Sequence, residues 1–458
     1  MKKTTITLPL LLILLSGCAL SPDYQRPSVD VPAQWSVAET GSPTVIARDW
    51  WAEFESAELN GLMNAALNQN NDLRAGLQRV EQARAGLRIA GASLLPSASA
   101  SGGATQSRTN PAQGSASSAT SLRAGVDISY ELDLFGANRA GVNAANAGLE
   151  AQQYNQEALA LVVMGDVAAG YFQILNLRER LVIADTNLAN AREVMRIVNA
   201  RVREGMESDL ELAQQTASVA SNEAARETLV QQITNAENAL AVLLGQLPQT
   251  IAIEGGSITA LTIPAIAPVL PSSLLERRPD LRAAEAGLVA ANANIGIARA
   301  AFFPSLSLGL GQSLSTPGFG DPATTVLSLA AGLAAPLFQG GRLEGGVEQA
   351  TARQLELAEN YRKAVLVAFQ EVEDALAAER AAQARETALQ TAMTQAQRAY
   401  RLSKSRYDAG AIDFQTLLDT QNAQLSAEDN YAQARLARLN AAIDLFKALG
   451  GGWQGPRD

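Results

Sequence analysis

The chain has 458 residues, with 36 Lys and Arg against 46 Asp and Glu, no His and a single Cys. The acidic balance argues against nucleic acid as a partner, because phosphate binding needs clustered Lys and Arg. Without His the commonest general base and the commonest metal ligand are missing. One Cys excludes internal disulfides and Cys-based zinc sites. Apolar residues make up 47%, much of it Ala, which favours close helix packing over a thick interior.

The chain starts with Lys2 and Lys3, followed by an apolar run from Ile6 to Leu15 broken at Pro9. That run is shorter than the ~18 apolar residues a bilayer span needs, so residues 1–17 read as a signal peptide. It ends in Leu15-Ser16-Gly17-Cys18, which looks like a bacterial lipobox, with lipidation of the Cys18 thiol as the implied chemistry. An ordinary signal peptide with a chance Cys is the alternative. Ala19 follows where an Asp would suggest inner-membrane retention. Residues 18–48 carry Pro22, Pro27, Pro32 and Pro43 and are expected to form an extended arm.

The remainder is written twice. Asp72-Leu73-Arg74-Ala75 recurs 208 residues later as Asp280-Leu281-Arg282-Ala283, and Leu94-Leu95-Pro96-Ser97 as Phe302-Phe303-Pro304-Ser305. Leu134-Phe135 recurs as Leu337-Phe338 at a shift of 203. Arg201 and Gly205 recur as Arg406 and Gly410, and Leu244-Gly245 as Leu449-Gly450, at 205. Repeat 1 covers 49–246 and repeat 2 covers 273–450. Residues 247–272 join them, and 451–458 form a C-terminal tail. Each repeat reads as helix, two strands, long helix, turn, helix.

The first strand, about 97–106, alternates Ser with Ala or Gly. The second, 121–135, alternates without error, with Leu122, Val126, Ile128, Tyr130, Leu132 and Leu134 on one face and Arg123, Asp127, Glu131 and Asp133 on the other. Strict period two is a strand signal. Strands at 305–315 and 325–338 repeat the pattern. A soluble sandwich is the competing reading, but four strands are too few for two packed sheets. Each run reaches the ~9–11 residues of a transmembrane strand. Four strands cannot close alone, and an open edge is not tolerated in lipid. Closure therefore requires at least two chains, and three would give twelve strands.

Between the strand pairs the period changes. Ile174, Leu177, Leu181, Ala184, Leu188, Ala191, Met195, Val198 and Val202 form a heptad seam. Helices over about 138–203 and 343–406 would each be about 100 Å long at ~1.5 Å per residue. The turns at Gly205 and Gly410 end them, Gly supplying the positive φ that stops a helix.

Pro22-Asp23-Tyr24-Gln25-Arg26-Pro27, Trp50-Trp51-Ala52-Glu53-Phe54, Arg278-Pro279-Asp280-Leu281-Arg282, Phe302-Phe303-Pro304-Ser305 and Arg406-Tyr407-Asp408-Ala409-Gly410 occur in that order. With the duplication, they make the chain resemble the TolC/OprM-like outer membrane factor family, in its NodT-like lipoprotein branch. Ser21 replaces that family's Gly before Pro22, and Ser56-Ala57 its Asp-Pro. The resemblance implies an α+β membrane protein: a homotrimeric 12-stranded outer-membrane β-barrel continued by a long periplasmic α-helical barrel of coiled coils. It also implies a periplasmic adaptor and an inner-membrane pump, expected to be of the resistance–nodulation–division type, with no cofactor. The expected role is the outer-membrane channel of a tripartite efflux system, a passive duct for drugs or other small molecules. A duct for type I protein secretion and a structural periplasmic lipoprotein tether are the alternatives.

By the same resemblance the tip turns are the gate and the adaptor-docking end. Asp419 stands where the family often places a constriction aspartate, and Glu211 at the related position in repeat 1. Ser208-Asp209-Leu210-Glu211 also fits a helix capping box, a competing role for Glu211. Arg406 and Tyr407 are candidates for pairing between coils. Phe135, Phe338, Phe302 and Phe303 fall at strand–helix junctions, as an interfacial aromatic girdle or as packing at the bend. No Walker-type loop and no GxSxG motif are present, so no enzyme is expected.

Overall fold

The computed structural model describes residues 20–36, 46–268 and 270–455. Cys18 and the signal peptide lie outside the described residues. The helices are α1 (Ala57–Gln69), α2 (Asn71–Ala92), α3 (Ala137–Arg203), α4 (Asp209–Leu243), α5 (Leu274–Arg277), α6 (Pro279–Ala300), α7 (Arg342–Asp408) and α8 (Phe414–Ala448). The strands are β1 (Ser97–Thr109), β2 (Ser117–Leu132), β3 (Ser305–Thr316) and β4 (Thr324–Ala334). The duplication is visible in element lengths: α2 and α6 have 22 residues each, α3 and α7 have 67, and α4 and α8 have 35.

The chain divides into two compact units. The first holds the sheet, the adjoining helix segments and the start of the arm. Its sheet is antiparallel in the order β1-β2-β3-β4. The register keeps apolar residues together: Ile128 pairs with Leu310, Tyr130 with Leu308 and Leu132 with Leu306, while Leu310 pairs with Leu329 and Leu306 with Leu333. A slip of one residue would turn every one of these side chains to the opposite face. The other face carries Arg123, Asp127 and Glu131 between serines and glycines. The apolar face is uncovered, with Leu327 72%, Leu329 85% and Leu333 70% exposed. A contiguous exposed patch of this kind marks a membrane or protein contact.

Two strand limits differ from the alternation-based ones. β2 stops at Leu132, not at 135, because Asp133 turns away to cap α3. Its carboxylate accepts from the Asn138 amide at 3.1 Å and the Arg139 amide at 2.9 Å, and pairs with the Arg139 guanidinium at 3.1 Å. Leu134 therefore sits in a bend. β4 stops at Ala334, not at 338, since Pro336 has no N–H to give a ladder. β1 and β2 extend further into their hairpin connection than the alternation suggested, to Thr109 and from Ser117. The arm lies along α6: the Asn292 side chain donates to the Pro22 carbonyl at 2.6 Å, and Arg26 grips Glu285 with two bonds of 2.6 and 2.7 Å.

The second unit holds the coiled-coil parts of α3, α4, α7 and α8. Ile174, Leu177, Leu188, Ala191 and Val198 of the heptad seam are buried. A separate aromatic core gathers Trp50, Phe54, Phe172 and Phe446, with Trp50 stacked on Phe446 at 5.0 Å and Phe54 edge-on to Phe172 at 5.0 Å. The tail is not loose as far as Trp453, which is buried.

The copies agree down to single contacts. The Asn70 side chain donates to the Leu243 carbonyl at 2.7 Å, and Arg278, its counterpart, donates to the Ala448 carbonyl at 3.4 Å. Gly245 and Gly450 have φ of 67° and 88°. A Cβ on Gly245 would strike the Gln69 carbonyl, and one on Gly450 the Arg277 carbonyl. Ala at either position combines an unfavourable φ with a backbone clash. We expect each to destabilise the second unit by about 1–3 kcal/mol, seen as a lower unfolding temperature in detergent. Gly61→Ala, in α1 with open space around it, is the control and should be neutral or stabilising by up to ~1 kcal/mol. Equal unfolding temperatures for all three would refute this.

Candidate functional site

The two interhelical turns are built alike. In the first, the Gly205 amide donates to the Val202 carbonyl at 3.0 Å and the Met206 amide to the Arg201 carbonyl at 2.9 Å. In the second, Gly410 donates to Tyr407 at 2.9 Å and Ala411 to Arg406 at 2.8 Å. This is the Schellman pattern, with the glycines at φ 71° and 68°. Ser208 and Asp413 then cap α4 and α8. Glu211 closes a full capping box with Ser208, its carboxylate accepting from the Ser208 amide at 3.0 Å. Bonding to the Ser208 side chain, then backbone bonding, holds its pKa below the ordinary carboxylate value.

The turns are joined by a polar contact inside an apolar cluster. Val194, Val198, Tyr400, Tyr407, Phe414 and Leu417 are buried together. Within them, the Tyr407 hydroxyl donates to Glu207 at 2.6 Å. The Arg201 guanidinium sits 4.2 Å from the Tyr407 ring centroid, donates to the Tyr407 carbonyl at 2.8 Å and pairs with Glu207 at 3.2 Å. One cation thus meets a ring face, a carbonyl and a carboxylate. A desolvated cation–π contact contributes up to about 2 kcal/mol. Burial, and then the bond to Glu207, raise the Tyr407 pKa well above that of a free phenol.

The candidate residues fall into two groups. Tyr407 is in this latch; its expected companion Arg406 is not. Arg406 is exposed, and among the described residues its guanidinium has no ion-pair partner. The cation in place is Arg201, the residue that Arg406 repeats. Asp419 is exposed on α8 and accepts from Gln415 at 2.8 Å. Phe135 stacks on Phe303 at 4.6 Å with the rings 24° from parallel, which is packing at the bend. Phe302 is partly open and Phe338 is 89% exposed. Glu207 was not singled out in the sequence. The available signal was broken symmetry: the counterparts of Tyr407 and Glu207 in the other repeat are Val202 and Ile412. Among the described residues no Asp, Glu, His or Cys cluster is arranged to hold a metal ion.

A sheet with an exposed apolar face and two unpaired edges, joined to duplicated coiled-coil hairpins, defines a subunit of an outer-membrane channel. The family model for outer membrane efflux proteins matches residues 62–246 and 270–451, and this chain belongs to that family. It is 40% identical to the pyoverdine export outer membrane protein OpmQ of Pseudomonas aeruginosa, covering 97% of this chain and 96% of that protein. It is 31% identical to the cation efflux system protein CusC of Escherichia coli, covering 96% and 97%. Among solved structures, the open state of the MtrE outer membrane channel of Neisseria gonorrhoeae superposes with a TM-score of 0.85 at 30% identity, covering 95% of this chain and 98% of that one. The chain is accordingly an outer-membrane efflux channel component.

Tyr407→Phe removes the donor and leaves a half-buried Glu207 with Arg201 alone. It should weaken the joined turns by about 1–3 kcal/mol, read as faster amide exchange over residues 201–213 and 406–416. The phenol pKa is raised in the folded state. The latch is therefore fully present below the unfolded value of roughly 10 and lost as pH rises through the folded value. An alkaline loss of exchange protection should be seen in the parent protein and be absent in Tyr407→Phe. The same alkaline step in both would show that Tyr407 is not its source.

Proposed function

We propose that three copies of this chain form a passive export duct, anchored through a lipidated Cys18, that receives small molecules from an inner-membrane pump through a periplasmic adaptor. The observation that carries the oligomer is the pair of open sheet edges. Four strands per chain give twelve in a trimer, and the smallest membrane barrels need about eight. In this reading the uncovered Leu and Val face meets lipid, and the face with Arg123, Asp127 and Glu131 lines water.

The cargo is set elsewhere in this reading. Related channels at 31–40% identity carry names for pyoverdine, toluene and cations, a chemical range that no single binding pocket would serve. A wall of Ser, Gly and scattered acids is equally unselective. The inner-membrane pump, of the resistance–nodulation–division class, would then decide what enters.

The tip turns act as the gate. Arg201, Tyr407 and Glu207 tie the two hairpins together, and Asp419 of each copy contributes to a ring of three carboxylates that favours cations. Glu211 serves as a helix cap. Arg406, exposed and with no ion-pair partner among the described residues, is available to a neighbouring hairpin or to the adaptor.

Purified protein in a planar bilayer provides the test. Asp419→Ala should lower cation selectivity or raise single-channel conductance, and Tyr407→Phe should raise the frequency of open events. Unchanged recordings for Asp419→Ala would remove it from the gate. A protein that stays monomeric without detergent and never conducts would overturn the duct. Cys18→Ser should abolish acyl-chain mass on the mature N-terminus.

A further inference from the structure

The coiled-coil helices of the two repeats have equal lengths and align at a shift of 205 residues. At one layer they differ in every residue. Repeat 1 has Leu181 of α3 with Val230 and Ile233 of α4, and Leu181 belongs to the heptad seam. Repeat 2 has Glu386 of α7 with Arg435 and Arg438 of α8. Glu386 is 6% exposed. Its carboxylate pairs with the Arg435 guanidinium at 2.9 Å and with the Arg438 guanidinium at 2.7 Å. What is an apolar layer in one coil is an ionic layer in the other.

For the coil alone, the ionic layer is the poorer choice. Desolvation of buried charges often exceeds their mutual attraction, and an apolar set of similar volume is commonly as stable or more so. The Nε–H of each arginine is buried with no hydrogen-bond partner among the described residues, which adds to the cost. The layer therefore needs a reason outside the coil.

The second nitrogen of Arg435 supplies that reason. Nη2 donates to the Leu261 carbonyl at 2.5 Å and to the Thr259 carbonyl at 3.5 Å. Both lie in the linker between the repeats, where Ile258 and Leu261 are buried. Repeat 1 holds the linker a few residues earlier. Arg178 of α3 donates to the Ile253 carbonyl at 2.8 Å while pairing with Glu237 of α4 at 2.7 Å. Glu58 of α1 accepts from the Glu254 amide at 2.6 Å and the Gly255 amide at 3.2 Å. The Arg178–Glu237 pair is also unrepeated, since Gln383 and Ala442 stand in its places. There is one linker for two coils, and each coil departs from the repeat where it grips that linker.

We propose that Glu386, Arg435 and Arg438 form a clamp for the linker and not a support for the coil. Arg438 fixes the Glu386 carboxylate, Glu386 fixes the Arg435 guanidinium, and Arg435 reaches the linker backbone. Together with the grip of Arg178 and Glu58, the clamp makes the linker a strap that ties α3 of repeat 1 to α8 of repeat 2. Arginine suits the task. Its rigid fork addresses a carboxylate with one nitrogen and carbonyls with another, whereas a lysine ammonium is a point charge on a flexible stem.

A layer that sets coil register is the competing role, since buried polar groups can fix how helices pair. The two roles differ in what the apolar set of repeat 1 would do in repeat 2. In a register device, the exchange frees the coil to slip and lowers its protection. In a clamp, the coil keeps its order and only the linker is released.

The test uses the full-length protein in detergent. Glu386→Leu combined with Arg435→Val and Arg438→Ile carries the repeat 1 layer into repeat 2. Its unfolding temperature should equal or exceed that of the parent. Amide exchange over residues 257–263 should be about tenfold faster or more, the factor expected from losing one hydrogen bond to a charged group. Exchange over 376–390 and 430–446 should stay as in the parent. Arg435→Lys keeps the charge but not the reach, and it should speed exchange over 257–263 in the same way. Unchanged linker exchange in either variant overturns the proposal. A triple variant that unfolds at a lower temperature, exchanges faster over the two coil segments or fails to fold overturns it as well, because the layer would then serve the coil.

Discussion

Every backbone N–H and C=O placed in hydrocarbon must find a partner, since water is absent and each unpaired group costs several kcal/mol. The sheet of this chain satisfies that requirement on three ladders and fails it on two edges, the outer sides of β1 and β4. Its Leu-rich face, meanwhile, is suited to lipid and to little else. The two facts pull in opposite directions for a single chain: the side chains favour the membrane and the edges forbid it. More copies relieve the conflict. Oligomerisation here is a condition of the fold in lipid and not an addition to it.

The duplication governs how that condition is met. A repeated sequence gives repeated surfaces, and repeated surfaces tend to make the same contact wherever they meet. Inside the chain the glycine turns, the caps and the Asn70 and Arg278 contacts recur with little change. Where the repeats diverge, they do so in places that break a local pairing. Tyr407 and Glu207 stand opposite Val202 and Ile412 in the repeat, so the latch exists once per chain. Asn70 and Val242 stand where repeat 2 has Arg278 and Lys447, so the two cations at the end of α8 are not repeated. Symmetry sets the wall, and departures from symmetry set which parts of it are tied down.

Much of this was legible in the sequence, because hydrophobic period is a local property. Alternation located all four strands, without error in β2 and more weakly, as Ser against Ala or Gly, in β1, and the 3-4 spacing from Ile174 to Val202 located the coiled coil. The strand ends were harder. Asp133 keeps the alternation going as a letter, but its carboxylate is drawn to the unsatisfied amides at the start of α3, and capping decided the boundary. Pro336 was visible, yet the apolar residues after it hid its effect. The latch was only half legible. Tyr407 was a candidate through the family resemblance, as a residue beside a helix-ending glycine that could pair between coils. Arg201 and Glu207 lie about 200 residues away in sequence, and no local pattern joins them to it.

The choice of Arg201 over Arg406 shows what decides such pairings. Both arginines precede a glycine by four residues, and both turns have the same backbone geometry. Only one of them faces a phenol ring and a half-buried carboxylate at once. Arg201 gains because Tyr407 brings an aromatic face within 4.2 Å and Glu207 supplies charge on the same side, in a place screened from water by Val198, Phe414 and Leu417. Arg406 repeats Arg201, but the partners that position would meet are Val202 and Ile412, which offer neither ring nor charge. A cation left in water at a helix C-terminus is stabilised only weakly by the helix dipole. Two residues equal in sequence context therefore acquire different roles through what the opposite turn presents to them.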